Sequence, residues 1–137
     1  MWLMTNRGFY SIVEKEWDRT DGTLTVRART LEDIERFIEM CPTSPIDTVL
    51  VESRPDHCAE ESTQSAFIEE DERADYRWRI RIDREEVGRV MLAHIGNIDY
   101  ENFKNSVADN GLTEHAACYA KVWGDMMRLQ QGGLYNT

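Results

Sequence analysis

Cysteine and long apolar runs are both scarce in this chain. Its 137 residues contain three cysteines, none of them in a CxxC pair, so we expect no disulfide framework and a reducing environment. No run of about 18 apolar residues occurs, which excludes a membrane-spanning helix. Arg7 and Gly8 interrupt the apolar N-terminal residues and argue against a signal peptide. The sequence therefore predicts a cytoplasmic protein with no membrane partner.

The motifs of common enzyme classes are also missing. The chain contains no GxSxG, P-loop, GxGxxG or HExxH pattern, and no neighbour activates Cys41, Cys58 or Cys118 as a nucleophile. His115 and Cys118 stand three residues apart and could place two metal ligands on one helix face. No second pair at ligand spacing accompanies them. We therefore predict no catalysis, no cofactor and no metal site.

Basic side chains are outnumbered, with 16 Lys and Arg against 26 Asp and Glu and a net charge of −10. This balance argues against a nonspecific coat for nucleic acid. The deficit is local, however, because residues 52–75 hold nine carboxylates and two arginines. The remaining 113 residues carry only −3, which weakens the argument against nucleic acid.

The acidic segment 52–75 permits three interpretations. It is a solvated loop without a partner, or an acidic lure for a basic protein surface with Phe67 and Ile68 as apolar anchors, or a loop that folds over a basic face of its own chain. The segment supplies seven candidate partner-binding residues, which are Glu60, Glu61, Phe67, Glu69, Glu70, Asp71 and Glu72.

Apolar periodicity predicts the element order β-β-β-α-β-β-α-α-α. Strands are expected at 2–5, 9–17, 23–29, 48–51 and 76–82, with C-terminal helices at about 99–131. A turn at residues 6–8 joins the first two strands, and Gly8 is expected to supply its positive φ. No regular βαβ repeat occurs, so we predict a single α+β domain over 1–137. Its architecture is a two-layer sandwich with a mostly antiparallel sheet, ferredoxin-like in part as one option.

Alternating arginines mark one face of the predicted sheet. If the strands 23–29 and 76–82 share a sheet, five arginines gather on its open face, namely Arg27, Arg29, Arg77, Arg79 and Arg81. Like charges directly opposite repel, so they need counter-charges such as Glu14 and Glu16 or an anionic partner. Strict alternation sends Tyr76 and Trp78 to the opposite face, which weakens the case for base stacking by RNA.

Several short stretches resemble a family of short uncharacterised bacterial proteins, largely actinobacterial. The stretches are MWLMT with GFYSIV at the start, VRAR at 26–29, ADYRWRI at 74–80, IDYENFK at 98–104 and VWGDMMRLQ at 122–130. The resemblance covers nearly the whole chain except the acidic segment. It implies a single domain and supplies no activity.

Size, charge and the missing catalytic motifs favour a non-catalytic protein-binding module, an inhibitor or an adaptor. One form of this hypothesis is a phage or mobile-element counter-defence factor, such as a CRISPR inhibitor, whose acidic surface imitates phosphates. The alternative is a nucleic-acid-binding module that uses the arginine-lined sheet face. The sequence leaves the oligomeric state open.

Overall fold

The computed structural model describes residues 1–41, 50–52 and 67–135, and the chain divides into two compact units. The first unit comprises Met1–Leu3 and Gly8–Ile98, and the second comprises Met4–Arg7 and the chain from Asp99 onward. The strands are β1 (Trp2–Met4), β2 (Phe9–Val13), β3 (Thr23–Ala28), β4 (Leu50–Glu52), β5 (Phe67–Glu70) and β6 (Trp78–Asp83). The helices are α1 (Glu16–Asp21), α2 (Leu31–Glu39), α3 (Arg84–Gly96), α4 (Phe103–Asp109) and α5 (Thr113–Tyr135).

The strands form one six-stranded sheet in the order β1-β2-β3-β6-β5-β4. The β2–β3, β3–β6 and β5–β6 pairs are antiparallel, whereas β4 runs parallel to β5. Helices α2 and α3 pack against β3 and β6. The predicted α+β class and mostly antiparallel sheet are therefore confirmed.

The apolar core lies on one face of this sheet. Alternate residues of β2, β3 and β6 point into this core and pack with apolar residues of α2 and α3. Its fully buried members include Tyr10, Val26, Ala28, Ile34, Phe37 and Val90. The hydroxyl of Thr30 accepts from the Asp33 amide at 3.2 Å and caps the N-terminus of α2. The sheet's other face is left for the polar residues that alternate with the core.

Two predicted elements are wrong in the first unit. The expected strand over 9–17 stops at Val13, and Glu16–Asp21 forms α1 instead. The expected loop over 52–75 contains β5 (Phe67–Glu70), because Ile68 is buried in the core and Glu69 and Glu70 align with β6. The positive φ expected at Gly8 is also absent, since the left-handed glycines of the described chain are Gly22 and Gly111.

The second unit is built around helices α4 and α5. The Asn102 side chain caps α4 by accepting from the Asn105 amide at 2.9 Å. The rings of Phe103 and Tyr119 stack with centroids 5.7 Å apart, and the Tyr119 hydroxyl donates to the Thr5 carbonyl at 3.1 Å. The ring stacking joins α4 to α5, and the hydrogen bond joins α5 to the segment 4–7. The described helices include none that is long and apolar enough to cross a membrane.

Candidate functional site

Two of the predicted arginines face each other at the centre of the polar sheet face. Arg27 of β3 and Arg79 of β6 are directly opposite in the antiparallel register. The Arg27 Nη2 donates to the Ser11 hydroxyl at 2.6 Å, and the Arg79 Nη2 donates to the Tyr76 carbonyl at 2.9 Å. Two like charges thus occupy one register position on the same sheet face, an arrangement that costs free energy without a counter-ion.

Tyr76 lies against these arginines rather than on the opposite face. Strand β6 begins at Trp78, so the predicted alternation does not reach back to Tyr76, which lies in a bend. The guanidinium carbons of Arg27 and Arg29 lie 4.7 Å and 4.5 Å from the centre of its ring, within cation–π distance. The sequence prediction for Tyr76 is therefore wrong. We call Arg27, Arg29, Tyr76 and Arg79 the arginine–tyrosine cluster.

Further aromatic rings extend the cluster toward the edge strand β1. The rings of Phe9 and Tyr76 lie 6.5 Å apart, and those of Trp2 and Phe9 meet edge to face at 6.0 Å. Tyr76 is buried and Phe9 is half-buried, but the side of this series nearest the edge is open, because Trp2 is 70% exposed. The exposed indole gives a flat apolar surface next to a group of positive charges.

The other two arginines of the predicted set are neutralised within the chain. Arg81 pairs with Asp21 at 2.6 Å and with Asp18 at 3.4 Å. Arg77 pairs with Glu70 and Glu72 at 2.5 Å and 3.1 Å. Its guanidinium also lies 5.5 Å from the ring of Trp78, which packs against the core, so Arg77 leaves the polar face.

Glu14, expected as a counter-charge for these arginines, pairs elsewhere. Its carboxylate contacts Arg19 at 3.2 Å and Arg84 at 2.5 Å. Among the side chains that the structure describes, those of residues 1–41 and 68–131, no carboxylate lies within 4.0 Å of a guanidinium nitrogen of Arg27, Arg29 or Arg79. Within this described part of the chain, the arginine–tyrosine cluster is therefore a local excess of positive charge.

Partial burial adds to the free-energy cost of the positive charges in this cluster. The Nε atoms of Arg27 and Arg79 are shielded from solvent and donate to no acceptor among the residues that the structure describes. A buried donor without a partner costs about 1–3 kcal/mol, and more when it is charged. An anion on the neighbouring guanidinium nitrogens would offset part of the positive charge at both residues.

Several of the acidic candidates interact with other residues of the described chain. Glu70 and Glu72 bind Arg77, and the Asp71 carboxylate accepts from the Arg73 amide at 3.1 Å. Glu69 aligns with Arg79 across β5 and β6 but forms no ion pair with it. Ile68, the proposed anchor, is a core residue with 1% exposure. The backbone of Phe67 is in β5, and Glu60 and Glu61 lie outside the described residues.

Sequence reasoning missed a buried carboxylate at Asp18. It accepts from the hydroxyls of Thr23 and Thr25 at 2.6 Å and 2.8 Å and from the Lys15 amide at 2.8 Å. Burial raises the pKa of Asp18, but these hydrogen bonds and Arg81 outweigh it and hold the pKa below its ordinary 3.8. The acidic residue three positions after Lys15, at the start of α1, is the signal that could have identified it.

Cys41 is buried, and we expect its thiol to be unreactive toward alkylating reagents in the folded protein. Burial and, second, the carboxylate of Glu86 raise the pKa of the Cys41 thiol to about 11. We expect iodoacetamide to label the exposed Cys118 in the folded protein and Cys41 only after denaturation, as read by peptide mass spectrometry of a Cys58→Ser variant. Equal labelling of the two thiols in the folded state would contradict this assignment.

The described residues contain no group of three His, Cys, Asp or Glu side chains arranged to hold a metal ion. Comparison with protein-family models, curated proteins and solved structures finds no match to this chain.

Proposed function

We propose that this protein is a binding module, and that its partner is anionic and docks on the arginine–tyrosine cluster. The observation that carries the proposal is the convergence of Arg27, Arg29 and Arg79 around Tyr76, with none of the three in an ion pair with a described carboxylate. Guanidinium groups stay charged at all physiological pH values and present several fixed donors. They suit the binding of phosphate or carboxylate better than the transfer of a proton.

The proposal covers both partner classes that the sequence left open. An acidic surface of another protein would make this molecule an inhibitor or an adaptor, whereas a phosphate backbone would make it a nucleic-acid-binding module. Both carboxylates and phosphates pair with arginine through two parallel hydrogen bonds. The guanidinium groups alone therefore support an anionic partner of either class.

A pair of matched double variants tests the proposal. We expect Arg27→Gln with Arg79→Gln to weaken the binding of an anionic probe by about tenfold or more, since two charge-assisted contacts are lost. The control, Arg19→Gln with Arg84→Gln, removes the same two charges from the residues that pair with Glu14. It should change the affinity only about twofold through the long-range field.

The measurement is fluorescence anisotropy at about 50 mM salt, where charge interactions are strong. Two labelled probes are titrated separately, a single-stranded oligouridylate of about ten nucleotides and an oligoglutamate of similar length. Cluster-dependent binding of either probe supports the proposal. Failure of both probes to bind, or equal losses in the two double variants, would overturn it.

A further inference from the structure

We infer that the partner of the arginine–tyrosine cluster is a single-stranded nucleic acid, with a phosphate on Arg27 and Arg79 and a base stacked on Trp2. This inference rests on the proposed function and adds the chemical class of the ligand. It depends on the aromatic series from Trp2 through Phe9 to Tyr76, which an acidic peptide would not need.

The phosphate position follows from the cross-strand pair. Arg27 and Arg79 share one register position, and hydrogen bonds to Ser11 and to the Tyr76 carbonyl fix the orientation of each guanidinium. One phosphate offers several acceptor oxygens to two such groups at once and neutralises the repulsion between them. The pre-oriented donors lose little side-chain entropy on binding.

The base position follows from the exposure of Trp2. Its indole is 70% exposed and is held edge to face against Phe9, with ring centroids 6.0 Å apart. Two ring-to-ring steps, of 6.0 Å and 6.5 Å, separate this indole from Tyr76. One short segment of a strand can therefore reach both the cluster and the indole. A stacked base typically contributes about 1–3 kcal/mol, irrespective of its identity.

The same geometry favours a single strand over a duplex. A duplex keeps its bases stacked on one another, so it offers phosphates to the cluster but no free base to Trp2. The guanidinium planes of Arg27 and Arg29, which cover Tyr76, provide a second stacking surface for an unpaired base. Sheet faces that combine aromatic rings and basic side chains are a recurring platform for unpaired bases.

The net negative charge of the protein makes the expected binding weak. The phosphate contacts make it sensitive to salt. With two to three phosphates neutralised, the logarithm of affinity should fall with the logarithm of salt at a slope of about −1.4 to −2.1 for a single strand. That slope corresponds to a loss of about 7- to 18-fold between about 50 mM and about 200 mM salt. Glu69, opposite Arg79, opposes the ligand, so Glu69→Gln should tighten binding about twofold.

The decisive variant is Trp2→Ala, with Trp123→Ala as its matched control. Both indoles are largely exposed, at 70% and 56%, but Trp123 belongs to α5 and lies outside the cluster. We expect Trp2→Ala to weaken binding of the oligouridylate about tenfold and to leave the binding of oligoglutamate unchanged. Trp123→Ala should alter neither, and thermal melting followed by circular dichroism verifies that both variants are folded.

The outcomes separate this inference from the proposed function. If oligoglutamate binds in a cluster-dependent manner and oligouridylate does not, the partner is an acidic protein; the inference is overturned and the proposed function stands. If a duplex of the same length binds as tightly as the single strand, or if Trp2→Ala and Trp123→Ala behave alike, base stacking is excluded and the inference fails. If neither probe binds at about 50 mM salt, both proposals fail.

Discussion

Substituting Gly8 by alanine is expected to lower the free energy of unfolding by about 3 kcal/mol and the melting temperature by about 10 °C. A Cβ atom at this position would lie 2.5 Å from the Tyr10 hydroxyl oxygen and 2.9 Å from the Asp33 Cγ. Neither neighbour can move freely, because Tyr10 and Asp33 are 0% and 1% exposed. Their hydrogen bond, from the Tyr10 hydroxyl to the Asp33 carbonyl at 2.8 Å, would be strained or broken.

Gly88→Ala is the matched control for this prediction. A Cβ added to Gly88, inside α3, meets no atom within 4 Å, so the alanine should be neutral or stabilising by up to about 1 kcal/mol through helix propensity. Introducing Tyr10→Phe removes the nearest atom, and Gly8→Ala should cost less in that background. Urea denaturation measures the unfolding free energy of the wild type, the three single variants and the Gly8→Ala/Tyr10→Phe double variant. If Gly8→Ala lowers the unfolding free energy no more than Gly88→Ala does, the close approach of Tyr10 and Asp33 does not exclude a side chain at position 8, and the prediction is wrong.

The arginine pattern was predictable because a strand repeats every two residues. Positions 27, 79 and 81 alternate with Val26, Ile80 and Ile82, and that alternation places their side chains opposite the core in both strands. The register that brings Arg27 and Arg79 together was not predictable from either strand alone. It depends on the pairing of strands about 50 residues apart in the chain, and local periodicity carries no information on such a pairing.

Tyr76 was assigned to the wrong face because the predicted strand began two residues too early. Strand boundaries are set by where backbone pairing starts, and the first residue of β6 is Trp78. The turn between β5 and β6 is closed by a hydrogen bond from the Asp71 amide to the Arg77 carbonyl at 2.7 Å. That closure leaves Tyr76 in a bend, where side-chain direction no longer alternates. The aromatic component of the candidate site therefore required the structure.

Helix α1 was missed for a different reason, which is that tertiary contacts stabilise it. A helix of six residues has little intrinsic stability. Here Asp18 accepts from the Lys15 amide at its start, and Gly22, with a φ of 70°, ends it by donating its amide to the Asp18 carbonyl at 3.0 Å. The carboxylate of Asp18 then binds Thr23 and Thr25 of β3, so the helix is fixed by the strand that follows it.

Removing this carboxylate is expected to destabilise the first unit by about 3 kcal/mol. Asp18→Ala leaves the hydroxyl of Thr25, which is buried, and the amide of Lys15 without their acceptor, at about 1 kcal/mol or more each, and it also removes the contact to Arg81. The matched control is Asp21→Asn. Asp21 binds the same guanidinium at 2.6 Å but its side chain is 55% exposed. We expect its loss to cost less than about 0.5 kcal/mol, as measured by urea denaturation.

The contribution of Asp18 should also depend on pH with a defined sign. Its folded-state pKa lies below the 3.8 of the unfolded chain, because the Thr23, Lys15, Thr25 and Arg81 hydrogen bonds outweigh desolvation. The unfolded state therefore takes up a proton before the folded state does, and the stabilisation is complete above 3.8 and is lost as pH falls through the folded value. The difference in unfolding free energy between the wild type and Asp18→Asn should be flat near neutral pH and shrink on acidification below 3.8. A difference that grows on acidification would mean that the folded state binds the proton more tightly, and would contradict the hydrogen-bonded carboxylate at this position.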